Sequence, residues 1–446
     1  MFTRTVAVIG TGYVGLTTGA CLASLGHTVV CADKNEAKIE ALRHGEVAIL
    51  EPGLTDLVAE GLASGRLRFV TDATEAVTGA EIVYLCLPTP MGVGGIADLS
   101  AVESVAAQIR HALKPGAVVV NKSTVPVGTV GRTSDLIDRD DVAVVSNPEF
   151  LREGSAVRDF LHPDRVVVGA EQQDAAEKVA ALYARLGAPT VLTDAASAEL
   201  VKYAANCFLA MKLSYVNAIA ELCERLGADI KDVTEGMGYD KRIGTAFLSP
   251  GPGWGGSCLP KDVHALLHVA DGADFEFRLL RATIETNTRQ FHRILDKTCR
   301  AVTGSRTGSL RGHRIGLLGL TFKAGTDDLR DSPALAVAAL LRQAGAELVA
   351  HDPTLIGGSN NPELNGIHLV DDATQVAKDA HALLLLTEWP HYRTLDWPTL
   401  ATYMRTPVII DTRNLLDPDT LTRAGFTYHG LGTRPSKEAA SETESV

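Results

Sequence analysis

Cys258 lies in a segment that suits a reactive thiol. It follows the glycine pair at 255–256, which leaves room for a substrate, and precedes Pro260, which favours the first turn of a helix. Backbone N–H groups at a helix start stabilise an anion, so a thiolate is favoured there. Lys261 adds a positive charge, and Asp262 would lie one helical turn from the sulfur. We interpret Cys258 as a nucleophile. The alternative is a buried structural thiol, which is our interpretation of the other six cysteines.

The N-terminal segment has the pattern of a dinucleotide-binding turn. An apolar run at 5–9 is followed by Gly-Thr-Gly-Tyr-Val-Gly at 10–15, a helical stretch, a second apolar run at 28–32 and Asp33. Glycines in this turn let the backbone approach a pyrophosphate at the helix start. Asp33 can accept hydrogen bonds from ribose hydroxyls and would repel a 2′-phosphate, so the pattern predicts NAD rather than NADP. A purely structural turn is the alternative.

The order of elements predicts the α/β fold class, with two Rossmann-like, doubly wound domains joined by a long central helix. In the first domain, short apolar runs alternate with helical stretches, which is typical of a parallel sheet. Its strands are expected at residues 5–9, 28–32, 82–87, 117–121, 142–145 and 165–169. Ligands of such sheets bind at the carboxyl ends of the strands, so we expect the loops that follow them to hold functional residues.

The second half of the chain contains long helices and a second α/β unit. Apolar residues at helical spacing predict a helix over 194–227, suited to core packing or to a dimer interface, and another over 277–301. The second unit begins near residue 314 without a glycine fingerprint, so we expect it to bind something other than a dinucleotide. The expected divisions are an NAD-binding domain at 1–193, a central helical and dimerisation region at 194–302, a C-terminal domain at 310–432 and a disordered tail at 433–446.

Composition limits the possible partners and compartments. The net charge of −12 argues against nucleic acid, because phosphate binding needs a basic surface. The seven cysteines form no paired pattern, which favours reduced thiols in the cytoplasm. The first strand begins almost at the N-terminus, so we expect no signal peptide, and no apolar run approaches the ~20 residues of a membrane span.

Six motifs jointly resemble one family. The chain resembles the nucleotide-sugar dehydrogenases, the UDP-glucose and GDP-mannose dehydrogenases, from about residue 4 to 430. The motifs are GTGYVG at 10–15, STVPVGT at 123–129, NPEFLREG at 147–154, KYAANCFLAMKLSYVNAIAEL at 202–222, GWGGSCLPKD at 253–262 and FKAGTDDLRDSP at 322–333.

The resemblance implies oxidation of a sugar C6 alcohol to a carboxylate by two NAD molecules in turn, and it favours UDP-glucose as substrate. Cys258 would attack the aldehyde, and the resulting thiohemiacetal would be oxidised to a thioester that water hydrolyses. Lys202 and Asn206 are spaced i,i+4, so they share a helix face and can hold an oxyanion. Glu149 and Asp262 are candidates to move protons, and Thr124 could hydrogen-bond the attacking water.

The resemblance also implies binding residues and an assembly. The expected NAD site comprises Gly10, Gly12, Tyr13, Val14, Gly15, Asp33, Pro88, Thr89, Thr124, Glu153, Lys261 and Arg330. The expected UDP-sugar site comprises Glu149, Phe150, Leu151, Arg152, Glu153, Lys202, Asn206, Arg242, Phe247, Leu248, Ser249, Gly253, Cys258, Phe322, Lys323 and Arg413. The arginine at the Arg242 position would reach in from the neighbouring subunit, which implies a homodimer. No metal is expected.

Three alternatives stay open at this point. Ser249 and Trp254 depart from residues common in the family, in a loop expected to line the sugar pocket, so a UDP-N-acetyl-hexosamine or GDP-mannose could be the substrate. An NAD-binding sensor without catalysis is a different class, against which the intact catalytic set argues. A hydroxyacid dehydrogenase of the 6-phosphogluconate type shares the architecture but needs no thiol nucleophile.

Overall fold

The computed structural model describes residues 3–433, so most of the predicted disordered tail lies outside the described residues. The chain divides into two compact units. The first contains the residues up to Asn206 together with Lys261–Glu276, and the second contains Cys207–Pro260 and the residues from Phe277 onward. No helix of the described residues is long and apolar enough to cross a membrane.

The first unit contains an eight-stranded sheet with the order β3-β2-β1-β4-β5-β6-β7-β8. Its strands are β1 Thr5–Ile9, β2 Thr28–Ala32, β3 Leu67–Val70, β4 Ile82–Leu85, β5 Val118–Asn121, β6 Ala143–Ser146, β7 Val166–Gly169 and β8 Thr190–Thr193. Neighbouring strands are parallel, as predicted, except that β6 and β7 pair antiparallel. The first six strands have the order of a dinucleotide-binding sheet.

Helices cover both faces of this sheet. Along β1, Val6 and Val8 pack into one core and Ala7 and Ile9 into another. A strand buried on both faces reads as a continuous apolar run, which is why these strands could be predicted. The helices are α1 Tyr13–Ser24, α2 Glu36–Arg43, α3 Leu54–Ala63, α4 Ala73–Val77, α5 Ser100–Ile109, α6 Thr129–Ile137, α7 Ala156–Leu161 and α8 Gln173–Ala180.

Four helices occupy the middle of the chain: α9 Ala195–Leu226, α10 Ile230–Gly238, α11 Leu259–Gly272 and α12 Arg278–Thr303. The predicted long helix is confirmed as α9, which has 32 residues, and the second prediction corresponds to α12. The boundary between the two units falls inside α9, after Asn206. Short 3-10 turns complete the chain elsewhere.

The second unit contains a six-stranded parallel sheet with the order β11-β10-β9-β12-β13-β14. Its strands are β9 Arg314–Leu318, β10 Glu347–His351, β11 Ile367–Leu369, β12 Ala382–Leu385, β13 Val408–Asp411 and β14 Thr427–Gly430, and its later helices are α13 Pro333–Gln343, α14 Trp397–Tyr403 and α15 Pro418–Arg423. Helix α13 has a capped start, because the Ser332 hydroxyl accepts from the Ala334 amide and Pro333 takes the first position.

Candidate active site

The glycine turn connects β1 to α1, but its glycines serve different purposes. Gly10 has φ +96°, and a Cβ there would lie 2.3 Å from the Cys86 carbonyl oxygen. A Cβ on Gly15 would lie 1.9 Å from the Gly10 carbonyl oxygen, so both positions require glycine for packing. Gly12 has nothing within 4 Å of its Cβ position. Gly12 therefore leaves open space at the start of α1, as a bound pyrophosphate requires.

Asp33 lies directly after β2 and beside this turn. Its carboxylate accepts from the Thr11 amide at 3.0 Å, the Thr11 hydroxyl at 2.8 Å and the Asn35 amide at 3.1 Å, and Lys38 lies 3.4 Å away. Burial raises the pKa of Asp33, but these hydrogen bonds and the lysine outweigh burial and lower it overall. The side chain keeps 19% exposure, so an ionised acceptor remains accessible to a ribose.

Tyr13 joins the start of α1 to the segment that follows β6. Its hydroxyl donates to Glu51 and accepts from the Gly154 amide at 2.6 Å. Glu153 precedes that glycine and is half-buried, and Val14 packs its side chain on the core. Two residues predicted for the NAD site, Tyr13 and Glu153, thus lie in connected segments of the first unit.

The loops after β4 and β5 are also tied together. The Thr89 hydroxyl donates to the Thr124 carbonyl at 2.9 Å, and the Ser123 hydroxyl donates to the Leu87 carbonyl at 2.6 Å. Pro88 is exposed between them. The structure therefore confirms that these predicted loops meet at the carboxyl ends of neighbouring strands.

Glu199 was missed in the sequence and holds the next part of the Thr124 loop. It is buried on α9, and its carboxylate accepts from the amides of Gly128 and Val130 at 2.7 and 2.8 Å. Burial raises the pKa of Glu199, and the backbone hydrogen bonds only partly oppose it. Its spacing of three residues from Lys202 was the signal that could have revealed it, because i and i+3 share a helix face.

Glu149 and Lys202 form a buried ion pair with 2.8 Å between Oε1 and Nζ. The other carboxylate oxygen of Glu149 accepts from the Leu151 amide at 2.6 Å. Burial raises the pKa of Glu149, but the charge and hydrogen bond of Lys202 outweigh it, so the pKa is lowered. The pair therefore holds one positive and one negative charge, and the Glu149 carboxylate would lose its charge on accepting a proton.

The Phe150 ring lies near two cations, and Arg152 binds a neighbouring acid. The Arg165 guanidinium is 3.6 Å from the centre of the Phe150 ring, and Lys202 Nζ is 5.5 Å from it. Arg152 is exposed, and its guanidinium pairs with Asp159 at 2.5 Å. The Arg152 guanidinium is thus already bound within the protein, although Arg152 belongs to the segment predicted to bind the UDP-sugar.

A cavity of about 400 Å³ lies next to Glu149. Its inner wall includes the buried Lys122, which the sequence analysis missed, and the Lys122 ammonium donates to Asn147 Oδ1 at 3.2 Å and to the Tyr183 hydroxyl at 3.3 Å. Arg158 and Arg165 lie at other points of its lining. The cavity lining therefore combines the buried Lys122, the half-buried Arg165 and the exposed Arg158 with Glu149.

Asn206 and Lys261 both bind the fully buried Asp262. Asn206 Nδ2 donates to Asp262 Oδ2 at 2.6 Å, and Lys261 Nζ lies 2.6 Å from Oδ1. One amide and one ammonium group therefore hold the two carboxylate oxygens of Asp262.

Cys258 directly precedes α11, as predicted. It is half-buried, whereas the other six cysteines are buried. The Ser257 hydroxyl lies 3.7 Å from its sulfur. Burial raises the pKa of the Cys21 and Cys86 thiols to about 12, which keeps them protonated and unreactive. Cys258 is therefore the cysteine with both access and a helix N-terminus to favour its thiolate.

The loop before Cys258 differs from its prediction. A Cβ on Gly255 would lie 2.0 Å from the Asp331 carbonyl oxygen, and one on Gly256 would lie 2.8 Å from the Phe322 ring. The space beside these glycines is filled by the chain itself and is not left open to a substrate. Trp254 is buried, and its indole points at Ser214.

The predicted sugar segment at 247–253 adopts an irregular path. Phe247 has φ +60°, a conformation that L-residues adopt at a cost of about 1–3 kcal/mol and that often marks functional loops. Leu248 is buried and Ser249 is exposed, while a Cβ on Gly253 would lie 2.5 Å from the Phe291 ring.

Arg413 lies beside Phe322 in the second unit. Its Nη2 donates to the Phe322 carbonyl at 3.0 Å, and its Nε donates to the Leu386 carbonyl at 2.9 Å and lies 3.0 Å from Glu388. Lys323 Nζ is 5.5 Å from the Phe322 ring. Two cations of the predicted UDP-sugar site therefore share one loop region.

Arg242 and Arg330 are exposed, and each binds a neighbouring acid. Arg242 pairs with Asp240 at 2.6 Å, and Arg330 pairs with Asp328 at 2.7 Å. Among residues 3–433, the structure contains no group of three or more His, Cys, Asp and Glu side chains that could hold a metal ion.

Three segments of the chain match the UDP-glucose/GDP-mannose dehydrogenase family: its NAD-binding domain at residues 4–187, its central domain at 196–289 and its UDP-binding domain at 316–418. A UDP-glucose 6-dehydrogenase of Rhizobium meliloti (strain 1021) is 45% identical over 438 residues, which cover 96% of this chain and 99% of that protein.

Solved structures show the same relationship. A UDP-glucose dehydrogenase from Pyrobaculum islandicum superposes with a TM-score of 0.87 at 35% identity, covering 97% of this chain and 98% of that one. A UDP-D-ManNAc dehydrogenase from Pyrococcus horikoshii gives a TM-score of 0.84 at 27% identity, covering 98% and 100%. The chain belongs to the UDP-glucose/GDP-mannose dehydrogenase family of NAD-dependent nucleotide-sugar dehydrogenases.

Proposed function

We propose that this enzyme oxidises C6 of UDP-glucose to the carboxylate of UDP-glucuronate, with Cys258 as the nucleophile. The observation that carries the reaction is the half-buried Cys258 thiol at the N-terminus of the fourteen-residue α11. The full-length relative at 45% identity, named UDP-glucose 6-dehydrogenase, supports the choice of sugar.

NAD supplies a hydride acceptor twice when it is bound. In the first oxidation, the C6 hydroxyl gives its proton to a base and C6 gives up a hydride, which leaves an aldehyde. The Cys258 thiolate then attacks the aldehyde carbon to form a thiohemiacetal. Loss of a second hydride gives a thioester, and water hydrolyses the carbon–sulfur bond to release the carboxylate and the thiolate.

The other side chains have roles that follow from their charges and partners. Lys202 and Asn206 stabilise the developing oxyanion by charge and by amide donation. Glu149 moves protons through its ion pair with Lys202. Asp262 positions and deprotonates the hydrolytic water, and Thr124 hydrogen-bonds that water.

The binding assignments follow the same division of the chain. We assign NAD to the residues of the glycine turn, Asp33, Pro88, Thr89, Thr124 and Glu153, with Lys261 and Arg330 as further contacts. We assign the UDP-sugar to the segment from Glu149 to Glu153, to the residues at 247–253 and to Phe322, Lys323, Arg242 and Arg413. Arginine and lysine suit a diphosphate because they neutralise its charge, and arginine can bind it in a bidentate manner.

A homodimer is part of the proposal. Helix α9 carries Phe208, Tyr215 and Leu222 at intervals of seven residues, and each is roughly half exposed. Apolar side chains at this spacing form one stripe along a helix, which a second copy of the helix could cover. Arg242 is exposed, so its guanidinium can reach a neighbouring subunit. A reduced thiol nucleophile also favours the cytoplasm as the site of the reaction.

Other nucleotide sugars remain the second candidate substrates, because a structural neighbour acts on a UDP-N-acetyl sugar by its name. A panel of UDP-glucose, UDP-N-acetylglucosamine and GDP-mannose with NAD tests the choice. We expect the highest kcat/KM with UDP-glucose, and a clear preference for another sugar would overturn the substrate while leaving the thiol chemistry intact.

A mixed dimer tests the shared site. Subunits with Arg242→Ala and Cys258→Ala are each expected to be inactive alone. If Arg242 completes the neighbour's site, one site of the mixed dimer carries both defects and the other neither, so activity returns. No recovery would count against a shared site.

A further inference from the structure

Asn287 of α12 holds the backbone of the loop that leads to Cys258. Its Oδ1 accepts from the Trp254 amide at 2.8 Å, and its Nδ2 donates to the Trp254 carbonyl at 3.0 Å. Asn287 is buried, so both bonds are protected from water. The Asn287 amide therefore satisfies both the backbone N–H and the backbone carbonyl of Trp254, which lies four residues before Cys258.

Gln290 and Asn217 hold a second point of the same loop. Gln290 Nε2 donates to the Gly251 carbonyl at 2.8 Å, and Asn217 Oδ1 accepts from the Gly251 amide at 2.8 Å. Both side chains are buried. Buried backbone groups in an irregular loop need such partners, because each unsatisfied group costs about 1–3 kcal/mol.

The Trp254 side chain adds a third anchor. Its Nε1 donates to the Ser214 hydroxyl at 2.9 Å, and that hydroxyl donates to the Thr283 carbonyl at 2.9 Å. A phenylalanine or tyrosine ring lacks this indole donor. Trp254, whose departure from the family pattern left the identity of the sugar undecided, thus helps to anchor the loop.

Packing fixes the segment between Trp254 and Cys258. The Gly256 amide donates to the Asp331 carbonyl at 3.3 Å, and the same carbonyl leaves no room for a Cβ on Gly255. The chain is therefore held at 251, 254 and 256, two residues before the thiol. A displacement of about 1 Å in a reacting group can cost on the order of a hundredfold in rate.

We propose that Asn287, together with Gln290 and Asn217, forms a set of positioning residues that fixes the loop carrying Cys258 for its attack on the aldehyde. This inference rests on the thiol role in the proposed function. Cys258 enters the reaction only after the first hydride has left, so loosening the loop slows the second oxidation and spares the first. The aldehyde then accumulates.

Stopped-flow measurement of NADH, with semicarbazide present to trap aldehyde, separates the two oxidations. Asn287→Leu removes both hydrogen bonds at similar volume, and Asn287→Asp keeps the acceptor for the Trp254 amide but loses the donor. The control is Thr288→Ala, because Thr288 is the next residue on the helix and is exposed. We expect the control to match wild type.

For Asn287→Leu, we expect the first NADH to form within about twofold of the wild-type rate and the second at least about tenfold more slowly, since about 1.4 kcal/mol is a factor of ten. NADH per sugar should fall from two toward one as trapped aldehyde appears. If this variant does not fold, Asn287→Asp decides. Equal slowing of both oxidations, or a ratio that stays at two, would overturn the positioning role.

Cys258→Ser, measured in parallel, distinguishes a failure of the positioning role of Asn287 from a failure of the thiol chemistry of Cys258. If it gives one NADH and trapped aldehyde while the Asn287 variants behave as wild type, the positioning role fails alone. If Cys258→Ser still gives two NADH, the thiol chemistry of the proposed function fails.

Discussion

The second sheet repeats the order of the first six strands of the first sheet, yet the acid after the second strand is used differently in each. Asp33 follows β2 and keeps an accessible carboxylate. Asp352 follows β10, is buried and accepts hydrogen bonds from the amides of Leu320, Thr321 and Thr354, the hydroxyls of Thr321 and Thr354 and the Trp389 indole. The carboxylate of the second sheet is therefore committed to its own loops, and a ribose would have to displace them.

The helices that follow the first strands differ in the same way. In the first sheet α1 begins at Tyr13, directly after the glycine turn, and Gly12 leaves its N-terminus open. In the second sheet the chain passes through Leu320 to Ser332 before α13 begins. The same topology thus gives a dinucleotide site in one case and a loop that carries Phe322 and Lys323 in the other.

The largest expected effect on stability comes from replacing Asp352, the buried acid of the second sheet. Asp352→Ala leaves the buried amides of Leu320 and Thr321 without an acceptor, so we expect a loss of about 4 kcal/mol in the free energy of unfolding. Urea denaturation measures it. The matched variant is Asp33→Ala, for which we expect a much smaller loss. A stable Asp352→Ala protein with weakened NAD binding would reverse our assignment of the two sheets.

The ion pair of Glu149 with Lys202 should make the free energy of unfolding depend on pH. Glu149→Gln leaves Lys202 buried without a counter-charge, and we expect a loss of about 3 kcal/mol at neutral pH. Because the folded pKa of Glu149 is lowered, its contribution is present above the unfolded pKa of about 4.3 and is lost as pH falls through the folded pKa. The difference from wild type should therefore shrink in acid.

Asp411 in the second sheet provides the contrast. Backbone amides and Tyr428 hold it, and burial raises its pKa. The contribution of Asp411 to the free energy of unfolding is present below its unfolded pKa and is lost as pH rises through its folded pKa.

For Glu149→Gln, a loss of stability relative to wild type that grew on acidification would contradict the ion-pair explanation.

The glycines after the first strands provide a third test. Gly319 has φ +90°, and a Cβ there would lie 2.3 Å from Thr387 Cβ. Gly319→Ala should therefore cost about 3 kcal/mol from backbone strain and overpacking. The Cβ added by Gly12→Ala has no protein atom within 4 Å. The free energy of unfolding, measured by thermal unfolding, should therefore stay within about 0.5 kcal/mol of wild type while the Kd for NAD rises. If Gly12→Ala instead destabilised the fold and left the Kd unchanged, the open space would not serve the cofactor.

Asp33 should determine the choice of cofactor, with a smaller effect on energy. Asp33→Ala removes the ribose acceptor and the repulsion of a 2′-phosphate, so the ratio of kcat/KM for NAD over NADP should fall at least about tenfold. Asp352→Asn is the control from the other sheet and should leave the ratio unchanged. Equal use of NAD and NADP by the wild type would remove the role of Asp33.

Much of this fold could be predicted because strands buried on both faces are continuous apolar runs. The strands β3, β8, β11 and β14 were missed because each contains at least one exposed residue, so none is a continuous apolar run. The antiparallel pairing of β6 and β7 depends on long-range packing that no local pattern records.

The candidate site divides in the same manner. Gly12, Asp33 and Cys258 could be proposed from the sequence because each lies in a short motif with its own chemistry. Lys122, Glu199 and Asn287 could not, since each acts through partners distant in sequence, such as Asn147, Gly128 or Trp254. Arg152 shows the reverse, because its motif predicts a contact with the substrate while its guanidinium binds Asp159.

We propose that one dinucleotide site acts twice on each sugar because Cys258 retains the aldehyde as a thiohemiacetal until the second hydride leaves. The most direct measurement uses limiting UDP-glucose and excess NAD and determines NADH formed per sugar consumed. We predict a ratio of about two for the wild type with no aldehyde released, as the covalent intermediate requires. A ratio of about one with free aldehyde would contradict the account.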